Sequence, residues 1–229
     1  MKDIIIKCFL PACLLIFMTG CEDQNFMHQK YLDEGETVYP GMADSVQYSA
    51  GNERVKFTWM LSADPRVVKN VFYWNDGEKD DSAVINRPQG VLNMEAILNV
   101  REGIHDFTLV SKDNENHKSM TVERTVQVYG PAYISRLVNR SLTISFDDGT
   151  LTINWSAVES SLFQYNTVVY TDYSNPANPA TKSIRIENTD TETLIEGVRE
   201  GDVFSVSSSY LPEGGLDIMD APPVEYTIR

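Results

Sequence analysis

Two short segments, Val55-Lys56-Phe57-Thr58-Trp59 and Leu151-Thr152-Ile153-Asn154-Trp155, constrain the fold of this chain more than any other feature. In each, apolar residues take every second position and the run ends on a tryptophan. An extended strand sends successive side chains to opposite faces, so each run reads as a half-buried strand with its tryptophan turned inward. The tryptophans stand 96 positions apart. A second marker, Val100-Arg101-Glu102-Gly103, recurs 98 positions later as Val198-Arg199-Glu200-Gly201. Each copy precedes an aromatic strand, holding Phe107 in the first and Phe204 in the second. Two independent markers at nearly one offset indicate a duplicated domain, because solenoid units repeat every ~20–50 residues.

Further strand-like runs are Val71 to Trp74, Met94 to Val100, Phe107 to Val110, Val122 to Tyr129 and Leu142 to Phe146. Val168 to Tyr173, Ile184 to Ile186 and Val203 to Tyr210 complete the series. Gly51-Asn52, Asn75-Asp76-Gly77, Asp113-Asn114 and Asp147-Asp148-Gly149 punctuate it. Asp148-Gly149 accepts the positive φ angles of a tight hairpin turn. About seven short strands per copy with an early buried Trp specify a sandwich. The expected fold is all-β: two tandem immunoglobulin/fibronectin-III-like β-sandwiches after a lipoprotein signal peptide. The first spans 36–130 and the second 142–229, joined by a linker at 131–141. In that linker Tyr133, Leu137 and Val138 recur at helix-like spacing, which predicts a helical turn packed between the domains and a fixed interdomain angle.

At the N-terminus, Lys2 and Lys7 flank a basic start, an apolar run extends from Cys8 to Met18, and small Thr19 and Gly20 lead into Cys21. That order is a secretory signal peptide covering residues 1–20. The apolar run is shorter than the ~20 residues a spanning helix needs. Met18-Thr19-Gly20-Cys21 resembles the lipobox of bacterial lipoproteins, which implies cleavage before Cys21 and its lipidation. Residues 21–35 then form the lipidated cysteine and a polar tether, with Glu22 and Asp23 beside the anchor. Acids in that place resemble the tag that sends Bacteroidetes lipoproteins to the outer face of the outer membrane. The expected location is therefore the outer membrane, lipid-anchored and facing the cell surface. Cys8 and Cys13 fall within the signal, so Cys21 is the only thiol left after it, and an apolar core must hold the protein together without disulfides.

With 33 acidic and 19 basic residues the chain carries a formal charge of −14. A surface of that sign repels nucleic acid, so no such partner is expected. The acidic stretch Asn75 to Asp81 invites a calcium reading, but it lacks the ligand order and flanking helices of an EF-hand and reads as a solvated hairpin turn. His28, His105 and His117 have no metal-ligand spacing. No G-x-S-x-G nucleophile motif occurs. Paired carboxylates for glycoside hydrolysis would be defined by a spatial separation that a sequence does not display. No cofactor and no metal are expected, and the chain reads as a non-enzyme. Aromatic residues are the remaining lead, since exposed rings serve as flat platforms at interfaces. Trp59 and Trp155 belong to the core. Tyr73 and Trp74 lie on opposite faces of one strand, and Tyr210 and Leu211 open a Pro/Gly-rich loop running to Leu216. These four are the candidate binding residues.

Gly35-Glu36-Thr37-Val38-Tyr39-Pro40-Gly41, Gly51-Asn52-Glu53-Arg54-Val55 and Phe72-Tyr73-Trp74-Asn75 occur in that order. Glu102-Gly103 before Phe107, Tyr129-Gly130-Pro131-Ala132-Tyr133 and Leu137-Val138-Asn139-Arg140 follow. The series resembles the Bacteroidetes lipoprotein family called domain of unknown function 4998. The resemblance implies a cell-envelope lipoprotein with β-sandwich modules, often near glycan-uptake systems, and supplies no activity or functional residues. The expectation is a surface lipoprotein acting as a non-catalytic binding or accessory module in glycan acquisition. Its partners would be the membrane, through the lipid anchor, and a glycan or an envelope protein. The alternative is a structural spacer or assembly subunit that binds partner proteins only; a hydrolase ranks third.

Overall fold

The first tryptophan run forms the middle of β2 (Arg54–Leu61), and its burial alternates as the sequence demands, with Val55, Phe57, Trp59 and Leu61 inside. A computed structural model of the chain describes residues 39–229, apart from positions 62, 77, 78, 89 and 91. The signal segment 1–20, Cys21, the tether to 35, His28, and Gly77 and Glu78 of the acidic stretch lie outside the described residues. Antiparallel pairing places β2 between β1 (Ala43–Gly51) and β5 (Asn93–Asn99). A second antiparallel sheet runs β4 (Lys79–Asn86), β3 (Lys69–Asp76), β6 (Gly103–Lys112), β7 (Val122–Val128). The two sheets face each other across an aromatic core. Phe57 meets Phe72 at 4.8 Å and Phe107 at 4.9 Å between ring centroids, and Trp59 meets Phe72 edge-on at 5.3 Å.

The second copy repeats this order strand for strand. One sheet runs β12 (Glu192–Glu196), β9 (Thr150–Trp155), β8 (Leu142–Asp147). The other runs β11 (Ala180–Glu187), β10 (Phe163–Asp172), β13 (Val203–Tyr210), and the edge beside β13 is shared by β14 (Met219–Asp220) and β15 (Val224–Thr227). Pro222 and Pro223 separate those two pieces, because proline has no N–H to give to a ladder. Leu151, Ile153 and Trp155 face Val168, Ile186, Phe204 and Val206 across this second core. In both copies the fourth strand joins the third, not the fifth. That distinguishes the arrangement from the immunoglobulin constant type and makes both units fibronectin-III-like sandwiches. At the β8–β9 hairpin, Asp148 and Gly149 have φ of 42° and 80°, the twist the sequence predicts for that pair.

A third internal repeat emerges from the pairing. Asn70 stands opposite Ser111 between β3 and β6, and Asn166 opposite Ser208 between β10 and β13. All four are buried. Asn70 Nδ2 donates to Ser111 Oγ at 2.9 Å, and Ser208 Oγ donates to Asn166 Oδ1 at 2.7 Å. Trp59 Nε1 completes the first pair by donating to Asn70 Oδ1 at 3.1 Å, whereas Trp155 Nε1 turns instead to Thr193 Oγ1 at 2.9 Å.

Several expectations need revision. The acidic stretch does lie at a hairpin, that of β3 and β4, but strand reaches further into it than a turn would, since β3 continues to Asp76 and β4 resumes at Lys79 opposite it. β1 has no alternating signature because its register shifts between Asp44 and Gln47. The helical turn of the linker is α1, Pro131–Ile134 alone, and it buries no residue. Val138 is 74% exposed, so the helix-like spacing through Leu137 and Val138 does not mark a packed helix.

Candidate functional site

Residues Pro40–Arg229 form one compact unit, and Asp217 links its two sandwiches. The β1–β2 hairpin turns through Asn52 and Glu53, and Glu53 takes a φ of 51°. Asp217, in the loop after β13, reaches the tip of that hairpin. Its Oδ2 accepts hydrogen bonds from Arg54 Nε at 3.0 Å and from the Asn52 backbone N–H at 2.9 Å, while Oδ1 accepts from Arg54 Nη2. The bonds from Arg54 hold the Asp217 carboxyl below the usual carboxylate range, with the Asn52 N–H adding to them. Beside it, Leu216 N–H donates to Ala50 O at 2.8 Å. Gly51 permits the approach: a Cβ there would lie 2.1 Å from Asp217 Oδ2.

The same hairpin tip positions Tyr129 at the end of β7. Glu53 N–H donates to Tyr129 O at 2.8 Å, and Tyr129 N–H donates to Gly51 O at 3.2 Å. The chain then enters α1, whose first N–H groups need acceptors. Glu102 supplies them, its two carboxylate oxygens each accepting one bond, from Ala132 and Tyr133 N–H, at 2.7 Å. A Cβ on Gly130 would sit 2.7 Å from Glu102 Cβ, so glycine leaves room for the cap. The Glu102-Gly103 and Tyr129-to-Tyr133 motifs therefore belong to one device, which sets Tyr133 against Tyr129 with centroids 4.6 Å apart and planes tilted by 53°. Partial burial, then the neighbouring Tyr129 and Tyr210, raises the Tyr133 hydroxyl above its ordinary value.

Past α1 the linker is fastened to the second sandwich. Tyr210 OH donates to Val138 O at 2.6 Å, Asn139 Oδ1 accepts from Ser208 N–H at 2.7 Å, and Asn139 Nδ2 donates to Pro222 O at 2.7 Å. Arg140 is buried. Its guanidinium donates to Ser156 O at 2.7 Å and Asp190 O at 3.0 Å and lies over the rings of Trp155 and Phe163. Burial lowers its pKa. The motif Leu137-Val138-Asn139-Arg140 is thus a docking segment.

These attachments leave a groove along β1, β7 and α1. It consists of two cavities of about 440 Å³ and about 590 Å³ that share Gln127 and Tyr129. Gln47, Tyr48, Arg124 and Glu213 wall the first; Glu102, Tyr133 and Arg136 wall the second. Tyr48 is 44% exposed. Both volumes fall within the roughly 300–1,000 Å³ of small-molecule sites, and the mixture of rings with planar polar groups suits a hydrogen-bonding ligand.

The residues singled out by sequence are dispersed. Trp74 is only 6% exposed and packs on Phe107 at 5.7 Å, so it offers no ring to solvent. Tyr73 lies half-buried on the opposite face, where its hydroxyl accepts from Lys112 Nζ at 3.1 Å. Tyr210 is half-buried and tied to the linker, and Leu211 N–H donates to Leu162 O at 2.8 Å at the base of its loop. Tyr210 is near enough to Tyr133 to help raise its hydroxyl. Sequence reasoning missed Tyr48, Tyr129 and Tyr133. The last two were legible only as part of a family-like string, Tyr129-Gly130-Pro131-Ala132-Tyr133, with nothing to show that the string bordered a groove. Cys21 lies outside the described residues. Among the described residues no group of three or more His, Cys, Asp or Glu could hold a metal, and no helix is long and apolar enough to cross a membrane.

Comparison with known proteins identifies the family. The crystal structure of the chicken CNTN1 FN1-FN3 domains is similar at 14% identity and a TM-score of 0.42, covering 85% of this chain and 67% of that one. A two fibronectin type-III domain segment from chicken tenascin is similar at 11% identity and a TM-score of 0.33, covering 82% of this chain and 99% of that one. No curated protein matches. The model of the family DUF4998, a domain of unknown function, matches residues 21–218, and the chain belongs to that family.

Proposed function

We propose that the protein acts by binding and not by catalysis, as a lipoprotein anchored through Cys21 in the outer membrane, facing the cell surface and serving glycan acquisition. The fold is that of a binding or structural module, since paired sandwiches present loops and sheet faces to partners. The observation that carries the reading is the groove at the junction, where Tyr48, Tyr129 and Tyr133 line a cleft whose walls are fixed by the Asp217 and Glu102 contacts. A pre-formed cleft binds without a large ordering cost.

The test has two parts. Metabolic labelling with an alkyne fatty acid should mark the wild-type chain and not Cys21→Ala, and protease added to whole cells should remove the protein. An array of polysaccharides, together with a pulldown from outer-membrane extract, should then retain at least one glycan. The second reading, a structural spacer, draws on the stiffness of the same junction. An empty array with a reproducible envelope-protein partner would favour it.

A further inference from the structure

We propose that the junction groove is a site for an uncharged oligosaccharide, with sugar rings laid on Tyr129 and Tyr133 and hydroxyls bonded to Gln127 and Arg136. This rests on the binding reading above and gives it a place and a ligand class. Tyrosine offers both an apolar ring face and a hydroxyl, which matches a sugar's C–H face and its rim of hydroxyls. Arg136 adds planar donors and Gln127, whose Nε2 already donates to Val128 O at 3.1 Å, adds its Oε1 acceptor; both are exposed on the groove wall.

Charge decides between sugar classes. The groove has two arginines and two glutamates on its walls. Arg124 is engaged with Val46 O and Glu123 O, and Glu102 is engaged with the N–H groups of α1. Arg136 in one cavity and Glu213 in the other balance, so the lining gives hydrogen bonds without a net attraction for anions. The whole chain at −14 repels acidic polysaccharides besides. Length follows from adjacency: two neighbouring cavities that share Gln127 and Tyr129 offer room for more than one sugar ring, so affinity should rise from a monosaccharide to a short oligomer and then level off.

The experiment applies the full-length lipidated protein, in detergent, to immobilised glucans, mannans and xylans of increasing length, with uronate-bearing oligomers alongside. Saturable binding to an uncharged oligomer is expected, about tenfold weaker in Tyr133→Ala and unchanged in Tyr73→Ala. Arg136→Ala, on the exposed groove wall, gives a second reading should Tyr133→Ala lower the melting temperature. Undiminished binding in both groove variants would overturn the site and leave the binding reading standing. Preference for uronate oligomers would overturn the ligand class. A folded protein that binds no saccharide at all would overturn both the site and the glycan reading.

Discussion

Gly51→Ala isolates the contact between the sandwiches from the stability of either core. The added methyl would lie 2.1 Å from Asp217 Oδ2 and 2.9 Å from Asp217 Cγ, against the 3.4 Å at which ordinary contact begins. Relief therefore requires the carboxylate to move by about 1.3 Å. A movement of that size carries the bonds from Arg54 Nε and Asn52 N–H, now 3.0 Å and 2.9 Å, beyond hydrogen-bonding range. Neither aromatic core is touched, because the hairpin tip is polar and alanine is tolerated in a strand at small cost. The expected result is two folded sandwiches with a loosened junction. Residual dipolar couplings measured on the isotopically labelled protein report this directly. In the wild type both sandwiches should fit one alignment tensor; in Gly51→Ala the second should show a reduced magnitude, and affinity for the groove ligand should fall with it. A single shared tensor in the variant would refute the claim that Asp217 couples the units.

The two buried Asn–Ser pairs should respond unequally to alanine. Asn70→Ala strands both Trp59 Nε1 and Ser111 Oγ, at about 1–3 kcal/mol for each orphaned group, so a loss of roughly 2–6 kcal/mol is expected in urea unfolding of the first sandwich. Asn166→Ala takes the acceptor from the Ser208 hydroxyl, whose oxygen still accepts from Arg140 N–H at 2.8 Å, and removes an amide Nδ2 that has no partner among the described residues, so about 1 kcal/mol is expected. Glu102→Ala leaves the Ala132 and Tyr133 N–H groups uncapped, at about 1 kcal/mol, and should weaken ligand binding through the position of Tyr133, as calorimetry would show. Acid should act late. Asp64 beside Arg66, Asp172 beside Lys182 and Ser174, and Asp217 beside Arg54 are all held below the carboxylate range. Their folded values lie under the unfolded ~3.9, so their stabilisation is complete above about pH 4 and is lost as pH falls through the folded values. Thermal melts should be flat from neutral pH to about 4 and fall steeply below.

How much of this was legible depended on where each signal was stored. The Trp-ending runs and the Val-Arg-Glu-Gly repeat announced two sandwiches because burial imposes alternation, and Trp59 and Trp155 are indeed inside. The Asn70 and Asn166 repeat went unread because a buried polar residue has no periodic signature; only strand pairing reveals its serine partner. The junction was illegible for a related reason. Asp217 lies far along the chain from Arg54, and no local pattern links a loop acid to a hairpin arginine. Strings such as Gly51 to Val55 and Leu137 to Arg140 could be recognised as family features, yet their purpose, holding one sandwich against the other, appears only in space.

The central claim is that the groove formed where the sandwiches join is the ligand site. Its most direct measurement is ring-proton NMR of the tyrosines, titrated with the tightest uncharged oligosaccharide from the array. The account predicts saturable shifts and ligand-to-ring Overhauser contacts at Tyr129 and Tyr133, with Tyr73 silent. Contacts at Tyr73 on the outer sheet face, or saturation of the ligand with no change at Tyr129 and Tyr133, would contradict it.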